Sequence, residues 1–240
     1  MIRTYLAVFL RGLLRRLRLT AYAKSVGLRL GLLSEDDLER AVDDFLTATI
    51  RPGDVVWDVG ANRGRHTRLL SSLVGRDGLV VSIEPEAANM GHLASAVWSV
   101  PNVTLVNAAL SDTDGTETLI LSTADKAGRT HSLSGKTPAP AAGQAVQVFR
   151  GDTLVQERRA PQPAFIMIDV EGAEERVVAG LSATLRSAML KGVLIEIHFG
   201  ALEQDGRAFA PVQIERCMRS LGLATRWLDR SHLVACRQSL

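Results

Sequence analysis

Cysteine is nearly absent: there are two in 240 residues, Cys217 and Cys236. One such pair builds no disulfide framework, and neither cysteine has metal-ligand spacing. Both read as small buried or half-buried thiols, and a reducing cytoplasm is their natural compartment. Aromatic residues make up only 5%, which argues against a stacking platform for single-stranded nucleic acid. The first apolar run, residues 5–10, falls far short of the ~20 residues that a membrane-crossing helix needs. It also lacks the length and the small-residue cleavage site of a signal peptide. Acid is missing altogether from residues 1–33, which carry Arg3, Arg11, Arg15, Arg16, Arg18, Lys24 and Arg29. With a whole-chain net charge of +2, the remainder is acidic, which discourages binding of a nucleic-acid backbone.

What is present divides into two regions: a basic amphipathic helical segment over 1–50 and a larger domain over 51–240. Leu6, Phe9, Leu10, Leu13, Leu14 and Leu17 share one helical face, with Arg11, Arg15 and Arg18 on the other. Such a helix either packs on a domain with its arginines solvated or lies on an anionic membrane surface. The chain is therefore expected to be cytoplasmic, with peripheral membrane contact through residues 1–33 as the alternative. A further helix over 34–52 has Ser34 as its cap and Pro52-Gly53 as its end.

Beyond it, apolar strands alternate with helices. Strands are expected at 55–59, 79–83, 103–107, 116–121, 146–149, 165–170 and 193–198. Helices are expected at 64–74, 86–98, 172–187 and 211–221. Two terminal strands, 223–227 and 233–236, flank a turn at Asp229-Arg230-Ser231. This is an α/β pattern with a parallel sheet covered on both faces and an antiparallel edge. Residues 122–145, rich in Ser, Thr, Gly, Pro and Ala, read as a surface loop.

The stretch VVWDVGANRGRHT, residues 55–67, lies at the carboxyl end of the first strand, where doubly wound sheets bind their ligands. It has G-x-x-x-G, not the dinucleotide G-x-G-x-x-G, and an acid two residues ahead of the first glycine. A pyrophosphate ~5 Å from Asp58 would be repelled by about 3 kcal/mol at an effective dielectric near 20. S-adenosylmethionine, with an ammonium and a sulfonium, would instead be attracted. Glu84, in SIEPE at the end of the second strand, sits where an acid accepts hydrogen bonds from ribose hydroxyls. Gly60 and Gly64 let the backbone approach the ligand.

These stretches, followed by NVTLVNAALSDTDG, FIMIDVEGAEERVVAGL and VLIEIH in that order, resemble the FkbM family of S-adenosylmethionine-dependent methyltransferases. The resemblance covers roughly residues 54–200, with IDVEGAE its most specific part. It implies the class I, Rossmann-like methyltransferase fold: a mainly parallel seven-stranded sheet with an antiparallel terminal hairpin. It also implies O-methylation of a hydroxyl on a sugar, glycolipid or secondary metabolite. Asp58, Gly60, Asn62, Gly64 and Thr67 match the cofactor loop, and Glu84 the ribose acid. Asn107, Ala109, Leu110 and Ser111 match the segment beside adenine, and Asp169 and Glu171 the signature acids. Two positions depart. Met167 stands where members usually carry a lysine two residues before Asp169, and His66 replaces the commoner aromatic before Thr67.

Methyl transfer from a sulfonium needs alignment and removal of the hydroxyl proton. Glu196 and His198, two apart in LIEIHFG, project to one face beside Asp169. His198 is the first choice of general base, with Asp169 orienting it or the hydroxyl. A divalent cation held by Asp169, Glu196 and His198 is the chemical alternative, and a purely structural role for the pair is the third. Glu171 serves the acceptor or complements a helix dipole. His131, in the loose stretch, touches acceptor or is simply solvated. The remaining alternative is a protein that binds the cofactor without catalysis.

Overall fold

The computed structural model describes residues 35–121, 131–134 and 143–237. The basic segment 1–33, and with it the expected membrane-facing helix, lies outside the described residues. Among those described, no helix is long and apolar enough to cross a membrane.

Helix α1 (Glu35–Thr49) leads into β1 (Val55–Val59), α2 (Arg65–Val74), β2 (Leu79–Ile83), α3 (Ala87–Val97) and β3 (Val103–Val106). A short β4 (Ala109–Leu110) then precedes β5 (Gly115–Leu121), β6 (His131–Ser134), β7 (Gly143–Phe149) and α4 (Gly151–Gln156). The chain continues through β8 (Phe165–Ile168), α5 (Glu174–Gly180), β9 (Gly192–Glu196), α6 (Phe199–Gln204) and α7 (Ala210–Ser220). It closes with β10 (Leu223–Trp227) and β11 (His232–Arg237).

The main sheet has seven strands in the order β10-β11-β9-β8-β1-β2-β3. β1, β2, β3, β8 and β9 run parallel, while β11 is antiparallel to both β9 and β10. The expected antiparallel terminal hairpin is therefore present, with β11 inserted between β9 and β10. The order reverses at β1, which pairs β2 on one side and β8 on the other. The crevice at that reversal is where open α/β sheets bind ligands.

Strand alternation sorts the core into two layers. Trp57, Val59, Ile83, Ile166, Ile168 and Ile195 face one side, with Val177 of α5 and Met218 of α7. Val56, Val80, Met167 and Leu194 face the other, against Val42 and Leu46 of α1 and Leu70 of α2. Val42, Phe45, Leu46 and Ile50 recur at helical spacing, which gives α1 its buried stripe.

Three expectations need correction. The helix foreseen over 172–187 ends at Gly180 and resumes as a 3₁₀ turn at Thr184–Arg186. The buried Asp152 carboxylate captures the Ala183 and Thr184 N–H groups at 2.9 and 2.8 Å, so those donors are lost to a continuing helix. The stretch 122–145 contains β6 and the start of β7, part of a four-stranded sheet in the order β4-β7-β5-β6. Arg176 ties this sheet to α5 by pairing with Glu117 of β5 and with Asp112. Finally, strands β8 and β9 stop two residues earlier than expected, at Ile168 and Glu196. That places Asp169 and His198 in the turns beyond the sheet.

Candidate active site

At the end of β1 the Gly60 and Ala61 N–H groups both donate to the Ile83 carbonyl, at 2.9 and 3.1 Å. Gly60 has φ +84°, and a Cβ built there would lie 1.8 Å from the Asp169 carbonyl oxygen. Only glycine permits this approach of the β1 and β8 turns. Asn62 is also left-handed, with φ 49°. Its N–H donates to Glu84 Oε2 at 2.8 Å, and the Glu86 N–H donates to Oε1 at 2.9 Å. Burial pushes the Glu84 carboxyl upward, and these two N–H donors oppose it. Each oxygen keeps a lone pair for a further donor. Gly60, Asn62, Ile83, Glu84, Ala109 and Leu110 line one cleft, whose wall is both polar and apolar.

Five of the residues assigned to the cofactor by resemblance lie behind this lining. Gly64 turns the chain into α2, where a Cβ would meet Leu93 Cδ1 at 2.7 Å. Asn107 Nδ2 donates to the Glu84 carbonyl at 2.8 Å and so steadies the strand end that carries Glu84. The Ser111 N–H donates to the Phe149 carbonyl, and its hydroxyl to Asp112.

Asp58 and Thr67 are the other two. Asp58 is 2% exposed. It accepts the Thr67 hydroxyl at 2.6 Å on the face of β1 that packs toward α2. Strand alternation turns this side chain toward α2 and away from the cleft lining, where the sequence pointed to a direct charge contact with a ligand. Burial pushes the Asp58 carboxyl up to about 6, against the Thr67 hydrogen bond. A carboxyl raised in the fold costs stability once pH passes its unfolded value. The penalty grows between about 4 and 6 and is constant above. Asp58→Asn is therefore expected to raise the unfolding free energy at pH 8 by about 1–2 kcal/mol. That is ~3 kcal/mol for a carboxyl pushed up to about 6 by burial, less ~1 for a weaker bond to Thr67. Urea titrations at pH 4, 6 and 8 check this: the gain should vanish at pH 4, and a pH-independent gain would contradict it.

The turn after β8 carries the second group of residues. The Asp169 N–H donates to the Val59 carbonyl at 2.9 Å, which anchors the turn to β1. Glu171 has φ 52° and Gly172 φ 100°. A left-handed glutamate is backbone strain of the kind that collects at functional sites. Arg207 Nη2 donates to the Gly172 carbonyl at 2.7 Å and holds the turn from the far side.

Glu174, at the start of α5, is fully buried. Its Oε1 accepts the Gly172 N–H at 3.0 Å, the His198 N–H at 3.1 Å and His198 Nδ1 at 2.7 Å. This fixes the imidazole with Nε2 directed 3.6 Å from Asp169 Oδ1 and 3.4 Å from Glu171 Oε2. His198 is thus oriented by Glu174, where the sequence pointed to Asp169. A matching pair stands opposite. His232 Nδ1 donates to Asp229 Oδ2 at 2.7 Å, and its Nε2 lies 3.5 Å from Glu196 Oε2.

Burial and the nearby Glu196 charge push Asp169 up to about 7, opposed by His198. Burial pulls His198 down, but the Glu174 hydrogen bond and the surrounding carboxylates outweigh it and hold it at about 10. His66 goes the other way, to about 4, through burial and the Arg65 charge.

Glu196, His198, His232, Arg63 and Arg230 line a second cleft. Gly60, Asn62, Asp169 and Glu171 line both clefts. The expected cluster of Asp169, Glu171, Glu196 and His198 is therefore assembled, at the junction of two cavities. Met167 is not part of it: its side chain is buried in the core against α1 and α2. His131 begins β6, in the second sheet.

Glu174 and the Asp229–His232 pair were not foreseen. Glu174 is the last acid of IDVEGAE, but its partner lies 24 residues on, beyond any local periodicity. Asp229 was read as a turn former, which it is: it accepts the Ser231 and His232 N–H groups at 2.7 and 2.9 Å.

The model of the methyltransferase FkbM domain matches residues 58–223. A hexuronic acid methyltransferase, AglP of Haloferax volcanii, is 28% identical over 168 residues, covering 70% of this chain and 65% of the relative. The crystal structure of an FkbM methyltransferase from Methylobacillus flagellatus KT superposes with a TM-score of 0.52 at 14% identity. That match covers 81% of this chain and 50% of the other. The chain thus spans about two-thirds of the first relative and half of the second.

Proposed function

We infer that this chain, which belongs to the methyltransferase FkbM family, transfers a methyl group from S-adenosylmethionine to an oxygen of a sugar, glycolipid or secondary metabolite. The observation that carries this reading is the pair of clefts meeting at Gly60, Asn62, Asp169 and Glu171. In the first, Glu84 is positioned to accept ribose hydroxyls, and Ala109 and Leu110 offer an apolar wall to adenine. The second is open to an acceptor. A methyl group presented at the junction would face an acceptor oxygen held beside Asp169 and His198.

The step is an in-line displacement. A lone pair of the acceptor oxygen forms the bond to the methyl carbon while the C–S pair returns to sulfur, leaving a neutral thioether. The hydroxyl proton passes to a carboxylate of the cluster, Asp169 or Glu171; His198, expected as the general base, is held at about 10 and is already protonated near neutral pH. His198, fixed through Glu174, and Asp169 position the hydroxyl for attack. The named relative acts on hexuronic acid, which supports a carbohydrate acceptor. Arg63 and Arg230 on the wall of the acceptor cleft suit an acidic sugar.

Incubation with methyl-labelled S-adenosylmethionine and fractionated glycans, glycolipids and small metabolites tests this. Label is expected in a carbohydrate-bearing fraction, with one S-adenosylhomocysteine released per methyl transferred. Cofactor that stays intact with every fraction would overturn catalysis.

A further inference from the structure

We propose that Asp169, Glu196 and His198 form a binding site for one divalent first-row metal ion. One oxygen or nitrogen from each lies within 4.8 Å of the other two. The His198 Nε2 to Asp169 Oδ1 separation is 3.6 Å. That is too long for a hydrogen bond. It is close to the distance between two donors on one ion, since metal–nitrogen and metal–oxygen bonds of about 2.0–2.2 Å set neighbouring donors about 3.0–3.5 Å apart.

The burial of that Asp169 oxygen points the same way. Asp169 Oδ1 is a buried atom with no hydrogen-bond partner. Buried carboxylate oxygens are costly to leave unpaired.

The surroundings of the three groups are those of metal ligands. A ligating histidine usually donates its other ring N–H to a carboxylate, which fixes the ring and strengthens the ligand. Glu174 does this for His198 at 2.7 Å. On the other side, Asp229 holds His232, and His232 stands against Glu196. Three protein ligands leave coordination positions open, as in catalytic rather than structural metal sites. The mixed oxygen and nitrogen set suits Mn²⁺, Fe²⁺ or Zn²⁺ better than Mg²⁺ or Ca²⁺.

The ion's catalytic role rests on the methyl-transfer reading; its binding does not. In that role it coordinates the acceptor hydroxyl and lowers its pKa. The proton passes to Glu171, the oxygen lone pair forms the O–CH₃ bond, and the C–S pair stays on sulfur.

The test uses the full-length chain, dialysed against chelator and titrated with Mn²⁺ without any methyl donor. Free Mn²⁺ is read by its paramagnetic resonance signal, and Zn²⁺ is then added as competitor. One ion per chain is expected. Glu174→Gln should weaken its affinity about 10–100-fold, and His198→Ala and Glu196→Gln should each abolish it. Circular dichroism confirms that each variant is folded; for any that is not, the wild-type stoichiometry and the remaining variants decide. Failure of the folded wild type to bind either ion, or binding that survives both His198→Ala and Glu196→Gln, overturns the site. A parallel titration of the metal-free protein with S-adenosylmethionine keeps the two readings apart. Cofactor binding without metal binding removes only the ion.

Discussion

Asp169→Asn is expected to lower kcat by about 10²–10⁴-fold, or roughly 3–5 kcal/mol in activation free energy. The substitution keeps the shape of the side chain, and its backbone bond to Val59 is untouched. What it removes is the ionisable carboxyl at the point where the two clefts meet. Glu84 and the Gly60 turn, which would hold the cofactor, are left in place. The cofactor Kd should therefore change by no more than about threefold, because only an interaction specific to the reacting oxygen has been lost. Single-turnover rates with labelled donor, beside a calorimetric Kd, separate the two quantities. Equal losses in both would mean that Asp169 serves the cofactor rather than the acceptor.

Gly60→Ala is expected to have the largest effect on binding. A methyl group at this position would lie 1.8 Å from the Asp169 carbonyl oxygen, and the backbone φ of +84° adds strain for any L-residue. The positive φ costs about 1–2 kcal/mol. Relief of the clash must come from parting the β1 and β8 turns, which costs on the order of 1–3 kcal/mol more. Both clefts share that turn, so cofactor affinity should fall by about 100-fold or more even where the chain stays folded. Urea denaturation gives the stability part and cofactor titration the binding part.

The fold was legible where periodicity and punctuation agreed. Val55–Val59 reads as a buried strand, and Gly60 and Gly64 mark the turn and the start of α2. The terminal hairpin around Asp229 was equally readable. The segment that became β6 and the first residues of β7 was not, because its Ser, Thr, Gly and Pro content masks so short a strand; the rest of β7 was expected at 146–149. Helix 172–187 was overcalled for a different reason. Its apolar spacing continues past Gly180, but Asp152, remote in sequence, takes the N–H groups of Ala183 and Thr184.

The site was legible to the extent that it is local. The sequence located Glu84 at a strand end and placed Asp169, Glu196 and His198 near one another. It did not show that Asp58 packs against Thr67, because a position two residues before a glycine says little about which face of the strand its side chain takes. It missed Glu174, because an acid in the first turn of a helix is usually a dipole partner. Only the fold shows that this one is buried against His198. Met167 illustrates the same limit from the other side. Facing the α1 and α2 layer, it fills core volume where a lysine would have had to desolvate its charge.

One titration bears most directly on the central claim that the cleft between Gly60, Glu84 and Leu110 holds an adenosyl sulfonium cofactor. Wild-type protein and Gly60→Ala are each titrated with S-adenosylmethionine and with NADH. Saturable binding of S-adenosylmethionine to the wild type, lost in the variant and matched by no binding of NADH, is the predicted result. Binding of NADH with no response to S-adenosylmethionine would contradict it.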